Sequence, residues 1–237
     1  MPRPRPTIGA VAEENELPGD GAASSGPSAD GALLARLAAD ERLRSGAPVH
    51  LRPIRPADAE ALVSFHDRLS TEAVYRRYFF SHRHLTPAEV EHFTTVDYVD
   101  RMALVAEVDG RLVAVGRYER LTGTATAEAA FVVADEFQRQ GIGTLLLEHL
   151  AERAWSVGIT AFSAQTLAEN REMVSVFVAS GFPVEMSSAE GTVSVAFSIA
   201  PGDAYRQARG TRRASAAGGP TGGSGDGSWP DGAAPGR

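Results

Sequence analysis

The amino-acid sequence predicts an α/β fold of the mixed α+β kind: a mixed, mostly antiparallel sheet of about seven strands flanked by helices. Three features predict it. Ala103 to Val108, Leu112 to Glu119 and Thr126 to Ala134 read as consecutive strands, the first two joined at Asp109-Gly110, a strong two-residue hairpin signal. From Ile142 the apolar spacing changes to a helical one through Leu145, Leu146, Leu150 and Ala154. Between the two patterns lies a glycine-bearing turn, Gln138-Arg139-Gln140-Gly141-Ile142-Gly143-Thr144.

In chain order, Pro48 to Ile54 alternates as a first strand, and Arg55-Pro56-Ala57-Asp58 opens a helix ending near Leu69, with proline in its first turn. Ser70 to Phe80 and Pro87 to Thr94 predict two short helices, each behind a Ser or Thr cap and joined by the polar segment Ser81 to Leu85. The three-strand meander follows, then the helix from Ile142, which Gly158 stops. A strand at Thr160 to Thr166, a helix from Arg171 to Ser180 and a pair of strands at Phe182 to Met186 and Thr192 to Ile199 close the order. Residues 1–45, rich in Pro, Gly, Ala, Ser and acidic groups, are expected to be a disordered arm with one helix-capable stretch from Ala32 to Leu43. Residues 201–237 are expected to be a flexible, disordered tail. The globular domain is then 46–200, a common domain size.

With no cysteine in 237 residues, disulfides, thiolate metal sites and an acyl-cysteine intermediate are excluded. A net charge of −7 speaks against nucleic acid as a general partner. All 23 basic residues are arginine. No run approaches the roughly 18 apolar residues of a membrane span, and Met1-Pro2-Arg3-Pro4-Arg5-Pro6 is not followed by the apolar stretch of a secretory signal. The expected location is the cytoplasm, with no membrane partner. Oligomeric state is not legible.

The glycine turn carries the most chemistry. Two glycines let the backbone approach a ligand, and the N–H groups at a helix N-terminus suit a pyrophosphate. A Rossmann turn would want glycine at 146, which is Leu146, and a P-loop would want a Gly-Lys pair in a chain without lysine. Both nucleotide readings fail.

Gln138-x-x-Gly141-x-Gly143, set in the order strand, motif, helix, strand, Asn170, helix, Gly181-Phe182, resembles the GNAT superfamily of N-acetyltransferases over roughly residues 48–199. The resemblance implies a GNAT-like sheet and acetyl-CoA as cosubstrate. It implies that Gln138, Arg139, Gln140, Gly141, Ile142, Gly143 and Thr144 hold the pyrophosphate. The backbones of Phe131, Val132 and Val133 and the Asn170 side chain would meet the pantetheine, Asn170 serving equally as a helix cap. Leu69-Ser70-Thr71-Glu72, Tyr75, Arg77-Tyr78-Phe79, Asp97-Tyr98, Arg117-Tyr118, the run Ala127 to Val133 and Leu167-Ala168-Glu169-Asn170 are similar to bacterial protein lysine acetyltransferases that act on acyl-CoA synthetases. That implies a protein lysine as acceptor.

A lysine ammonium costs about 4 kcal/mol to deprotonate near pH 7.4, so direct transfer calls for a base. Glu128 shares a strand face with Ala130 and Val132, where desolvation would raise its pKa, and it is the expected general base. The tyrosine acid of many GNAT enzymes corresponds to Phe177 here, so that role is vacant. His82, His84 and His92 lack the companion ligands of a metal site and read as solvated loop residues; no metal is expected. Two alternatives stay open: acetylation of a small amine, and a non-catalytic acyl-CoA sensor.

Overall fold

The computed structural model describes residues 29–217 apart from 80, 81 and 83. Among them, eight strands form one sheet in the order β1-β2-β3-β4-β5-β6-β8-β7. Strands β2 (Pro48–Pro53), β3 (Arg101–Val108), β4 (Arg111–Arg120) and β5 (Thr126–Val133) form an antiparallel half. Strands β6 (Ala161–Leu167), β7 (Val184–Ala189) and β8 (Thr192–Ser198) form a second antiparallel half. The only parallel ladder described joins β5 to β6.

Alternation along each strand puts side chains on two faces. One face packs Leu104, Phe131 and Phe162 against α5 (Ile142–Ser156) and α6 (Arg171–Ala179). The other packs Val105 and Val115 against α2 (Ala59–Asp67) and α4 (Pro87–Thr94). α3 (Thr71–Tyr78) starts at the Ser70 cap, whose hydroxyl accepts from the Ala73 N–H at 3.1 Å, and lies over β5. α4 begins with a capping box between Thr86 and Glu89. Phe80 and Ser81 fall outside the described residues, so the predicted end of α3 and the segment to Leu85 are only partly visible.

Two corrections concern the ends. Within the expected disordered arm, α1 (Ala29–Leu37) is followed by β1 (Ala39–Arg42), which adds an eighth strand beside β2. Within the expected tail, α7 (Asp203–Ala217) docks on the domain; 1–28 and 218–237 lie outside the described residues. The docking is aromatic and ionic. Tyr205 stacks on Phe182, ring centroids 4.5 Å apart and 12° from parallel. Gly181 has φ +85°, and a Cβ there would sit 2.7 Å from the Ala204 carbonyl oxygen, so only glycine lets α7 come this close. Glu148 of α5, with a side chain 2% exposed, pairs with Arg212 and lies 3.8 Å from Arg209. Glu41 of β1 accepts from His149 of α5 at 3.1 Å and from Arg213 at 2.9 Å.

A chain ending at residue 202 is therefore expected to leave Glu148 buried without a cation and to lose about 3 kcal/mol or more in urea unfolding. Glu148→Gln in the shortened chain should recover part of that loss. An unchanged midpoint on truncation would show that α7 contributes nothing.

Candidate active site

β5 and β6 pair only over Thr126 to Glu128 against Ala161 to Ser163; beyond that the two strands diverge. The divergence opens a cleft of about 680 Å³ lined by the far half of β5, by α3, by the start of α5 and by α6. Two hydrogen bonds set the phase of the β4–β5 ladder: Ala134 N–H donates to the Val113 carbonyl and Leu121 N–H to that of Thr126. Alternation then assigns the backbones of Val132, Ala130 and Glu128 to β4, and turns those of Ala129, Phe131 and Val133 to the cleft. Phe131 and Val133 thus turn their peptide groups to the cleft. Val132 does not; its peptide groups are used opposite Val115, so it offers the cleft only its side chain.

The turn after β5 is tightly built. Gln138 Nε2 donates to the Val133 carbonyl at 3.1 Å, and Gln140 Nε2 to that of Glu136 at 3.1 Å, so both side chains shape the turn. Arg139 is exposed with φ 60°, and Gly141 caps α5 with φ 94°. From Arg139 to Gly143, five successive N–H groups meet no backbone carbonyl among the described residues, whereas those of Thr144 and Leu145 both donate to Gly141. Such a row at the start of a helix of 15 residues has the donors and the dipole that suit an anion. Ile142 and Thr144 bury their side chains, so only backbone is on offer at Ile142, and Thr144 has its N–H already engaged. Gly143 lies against α6; a Cβ would sit 3.1 Å from Val176 Cγ2. Asn170 caps α6, its Oδ1 accepting from Met173 N–H at 3.1 Å, and it lines the cleft, so cap and ligand contact are compatible.

At the other end of the cleft Glu128 stands on the last residue pair that β5 shares with β6. Burial pushes its pKa above the usual carboxylate range; Arg77 works against that rise and Glu119, directly opposite on β4, adds to it. A carboxylate so placed is a competent proton acceptor.

Several cleft residues were not singled out from the sequence. Arg44, inside the expected arm, donates its N–H to the Gln140 carbonyl at 3.0 Å and brings its side chain beside Gly141. Nothing in its sequence neighbourhood signals this. Glu119 enters through β4, beside Arg117 of the Arg117-Tyr118 segment already noted, whose guanidinium lies 3.8 Å over the Phe93 ring. Of the aromatic run on α3, Tyr78 is buried and Tyr75 exposed. Phe177 is buried against Phe131 and Phe197 and forms part of the cleft wall. The three histidines stay apart, near Glu89, Asp67 and Glu119 respectively. His82 and His92 are not solvated as expected: their side chains are only 13% and 23% exposed, under the packing around α4. Among the described residues no three metal-ligating groups gather, and no helix is long and apolar enough to cross a membrane.

Donors for a phosphate at one end of a split sheet and a proton acceptor at the other are what an acyltransferase using a nucleotide-bearing thioester requires. The comparisons agree. Residues 69–182 match the model of the acetyltransferase (GNAT) family. The chain is 37% identical over 135 residues to Acetyltransferase Pat of Mycolicibacterium smegmatis, covering 56% of this chain but only 40% of that protein. It is 32% identical over 146 residues to Acetyltransferase PA5475 of Pseudomonas aeruginosa, covering 60% of this chain and 78% of that protein. The crystal structure of the GNAT domain of S. lividans PAT superposes with a TM-score of 0.66 at 37% identity, covering 69% of this chain and 98% of that one. The chain belongs to the acetyltransferase (GNAT) family and is of the acyltransferase class.

Gly141→Asp would set a carboxylate among the free N–H groups, where like-charge repulsion costs several kcal/mol. Affinity for coenzyme A in titration calorimetry is expected to fall by about 100-fold or more. Unchanged affinity in a folded variant would place the phosphate site elsewhere.

Proposed function

We propose that the chain transfers an acetyl group from acetyl-CoA to a lysine side chain of a partner protein, an acyl-CoA synthetase, with Glu128 as general base. The observation that carries the reading is the Glu128 carboxylate, raised in pKa at the vertex of the split sheet, with the row of free N–H groups at the far end of the same cleft. The pyrophosphate would lie on Arg139 to Gly143, with Arg44 adding positive charge. The pantetheine amides would take the place of the missing strand along Phe131 and Val133, and Asn170 would face them from α6.

Transfer is direct. Glu128 takes one proton from the acceptor ammonium; the amine nitrogen then forms its bond to the thioester carbon, the carbon–sulfur bond breaks, coenzyme A leaves as thiolate, and the second proton shed by the nitrogen goes to that thiolate. Thiols have a pKa near 8.5, so the thiolate departs without a strong acid. That suits a site in which Phe177 occupies the tyrosine position. The protein acceptor is supported by the similarity to the PAT relatives, and the synthetase by the segments around Arg77 and Arg117.

Glu128→Gln should keep acetyl-CoA affinity and lower turnover by about 10²- to 10⁴-fold. A base acts only when deprotonated, so the raised pKa of Glu128 means that wild-type kcat/KM falls as pH drops through it. In Glu128→Gln that acid limb disappears, and the rate climbs as pH approaches the amine pKa of about 10.4. Wild-type turnover with an unchanged pH profile would remove Glu128 from the mechanism.

A further inference from the structure

Four charged side chains converge on the acceptor end of the cleft without pairing. Glu119 and Glu128 are opposite each other on β4 and β5, Arg117 is one residue pair further along the same face, opposite Ala130, and Arg77 reaches in from α3. Two anions and two cations this close would ordinarily join. Among the described residues none of the four forms an ion pair with another; the only partner of Glu119 within 4 Å is His92, at 3.8 Å. The arginines lean instead on rings: Arg117 lies 3.8 Å over Phe93, and Arg77 lies 4.9 Å from the centre of the Tyr78 ring. Their neighbours leave them without an anion. Arg76, the next residue on α3, is satisfied differently, by Glu72 and by Glu172 of α6.

A half-buried guanidinium without a carboxylate is costly, and a ring face only partly offsets that cost. The pyrophosphate is not what it awaits. Ala130, opposite Arg117, is three residues from Val133 at the end of β5, about 10 Å along the strand at the usual rise, and the free N–H row begins only at Arg139. Both arginines therefore belong to the acceptor's end, beside the groups that would meet its ammonium.

We propose that the acceptor is zwitterionic: Glu119 and Glu128 receive its ammonium, while Arg77 and Arg117 receive an anionic group carried close to that amine. This rests on the reading of Glu128 as the base. In a protein acceptor the anion is an Asp or Glu next to the target lysine; in a free amino acid it is the carboxylate.

The test uses the full-length chain and two lysine peptides alike except that Asp or Ala flanks the lysine, with free lysine as a third acceptor. With acetyl-CoA, kcat/KM for the Asp peptide is expected to exceed that for the Ala peptide by about tenfold or more. The ratio should collapse towards one in Arg77→Gln and in Arg117→Gln, and invert in Arg77→Glu when a peptide with Arg flanking the lysine is compared. Arg77→Gln, on the surface of a helix, keeps the test open if Arg117→Gln does not fold. Preference for free lysine over the Asp peptide would assign the anion to an amino acid carboxylate. Equal use of Asp and Ala peptides by the wild type, or variants that slow both equally, would overturn the inference while leaving acetyl transfer intact. Binding of the acetylated Asp and Ala peptides to the coenzyme A complex, followed by calorimetry, needs no turnover. A tenfold preference there without transfer to any acceptor would sustain the inference and sink the base assignment, and equal binding would overturn the inference.

Discussion

Three residue pairs of parallel ladder, Thr126 to Glu128 against Ala161 to Ser163, hold the two halves of the sheet together, and the cleft exists because the ladder stops there. β6 continues for its full length against β8. What parts it from β5 is packing: the Phe131 ring turns in toward Phe177 of α6, centroids 6.2 Å apart, in a space that Gly116 keeps open. A Cβ at Gly116 would lie 3.0 Å from that ring and 3.1 Å from Leu146, so a larger residue on β4 would have to displace the ring by a few tenths of an ångström. The cost of parting is a set of backbone groups on β5 with no strand to meet. In a core they would be a defect, whereas along a cleft they are a template for an extended ligand with amides of its own. Glu128 gains its fixed position from the same constraint, because its peptide groups are tied to β4 and its register to β6.

The anion site depends on α5 staying in place, and α5 is held from three directions. Leu146, Leu147 and Leu150 bury one side of it in the sheet. Glu148 and His149 bind α7 and β1 on the other side through Arg212 and Glu41. At its N-terminus the Arg44 N–H holds the Gln140 carbonyl. Segments outside the glycine turn therefore help to set its geometry, which gives β1, Arg44 and α7 a mechanical part in the site.

That part was invisible in the sequence for a physical reason. Central strands and α5 advertise themselves through apolar periodicity, and the hairpin at Asp109-Gly110 and the caps at Ser70 and Thr86 are local chemistry, so these elements were legible. α7 buries Tyr205 and docks otherwise through arginines, so it carries few large apolar side chains to mark it as part of the domain. Its partner Glu148 is 64 residues away, and no local pattern encodes that pairing. β1 is a four-residue edge strand whose Glu41 meets an arginine 172 residues distant. The candidate site divides in the same way. The glycine turn and Glu128 were legible because each is a local pattern with a chemical purpose. Arg44 and Glu119 come from other elements and were not singled out, and the hydrogen-bond phase of the β4–β5 ladder, which turns the peptide groups of Val132 to β4, is not written in the local sequence.

Keeping Glu128 free of an ion pair has a consequence for turnover. Had Arg77 closed on it, the carboxylate would have been stabilised in its charged form and its pKa drawn down, leaving it unable to take a proton from an ammonium. Glu119 on the facing strand does the opposite and keeps Glu128 proton-hungry, while the two carboxylates together still attract a cation. On the proposed mechanism that attraction lasts only until the chemistry is done. The ammonium has become a neutral amide, with one of its protons on Glu128 and the other on the departed sulfur, so the attraction of the carboxylates has no charge left to act on. The share of the binding energy that comes from the ammonium is thus directed at the substrate and withheld from the product, which favours release of the acetylated acceptor.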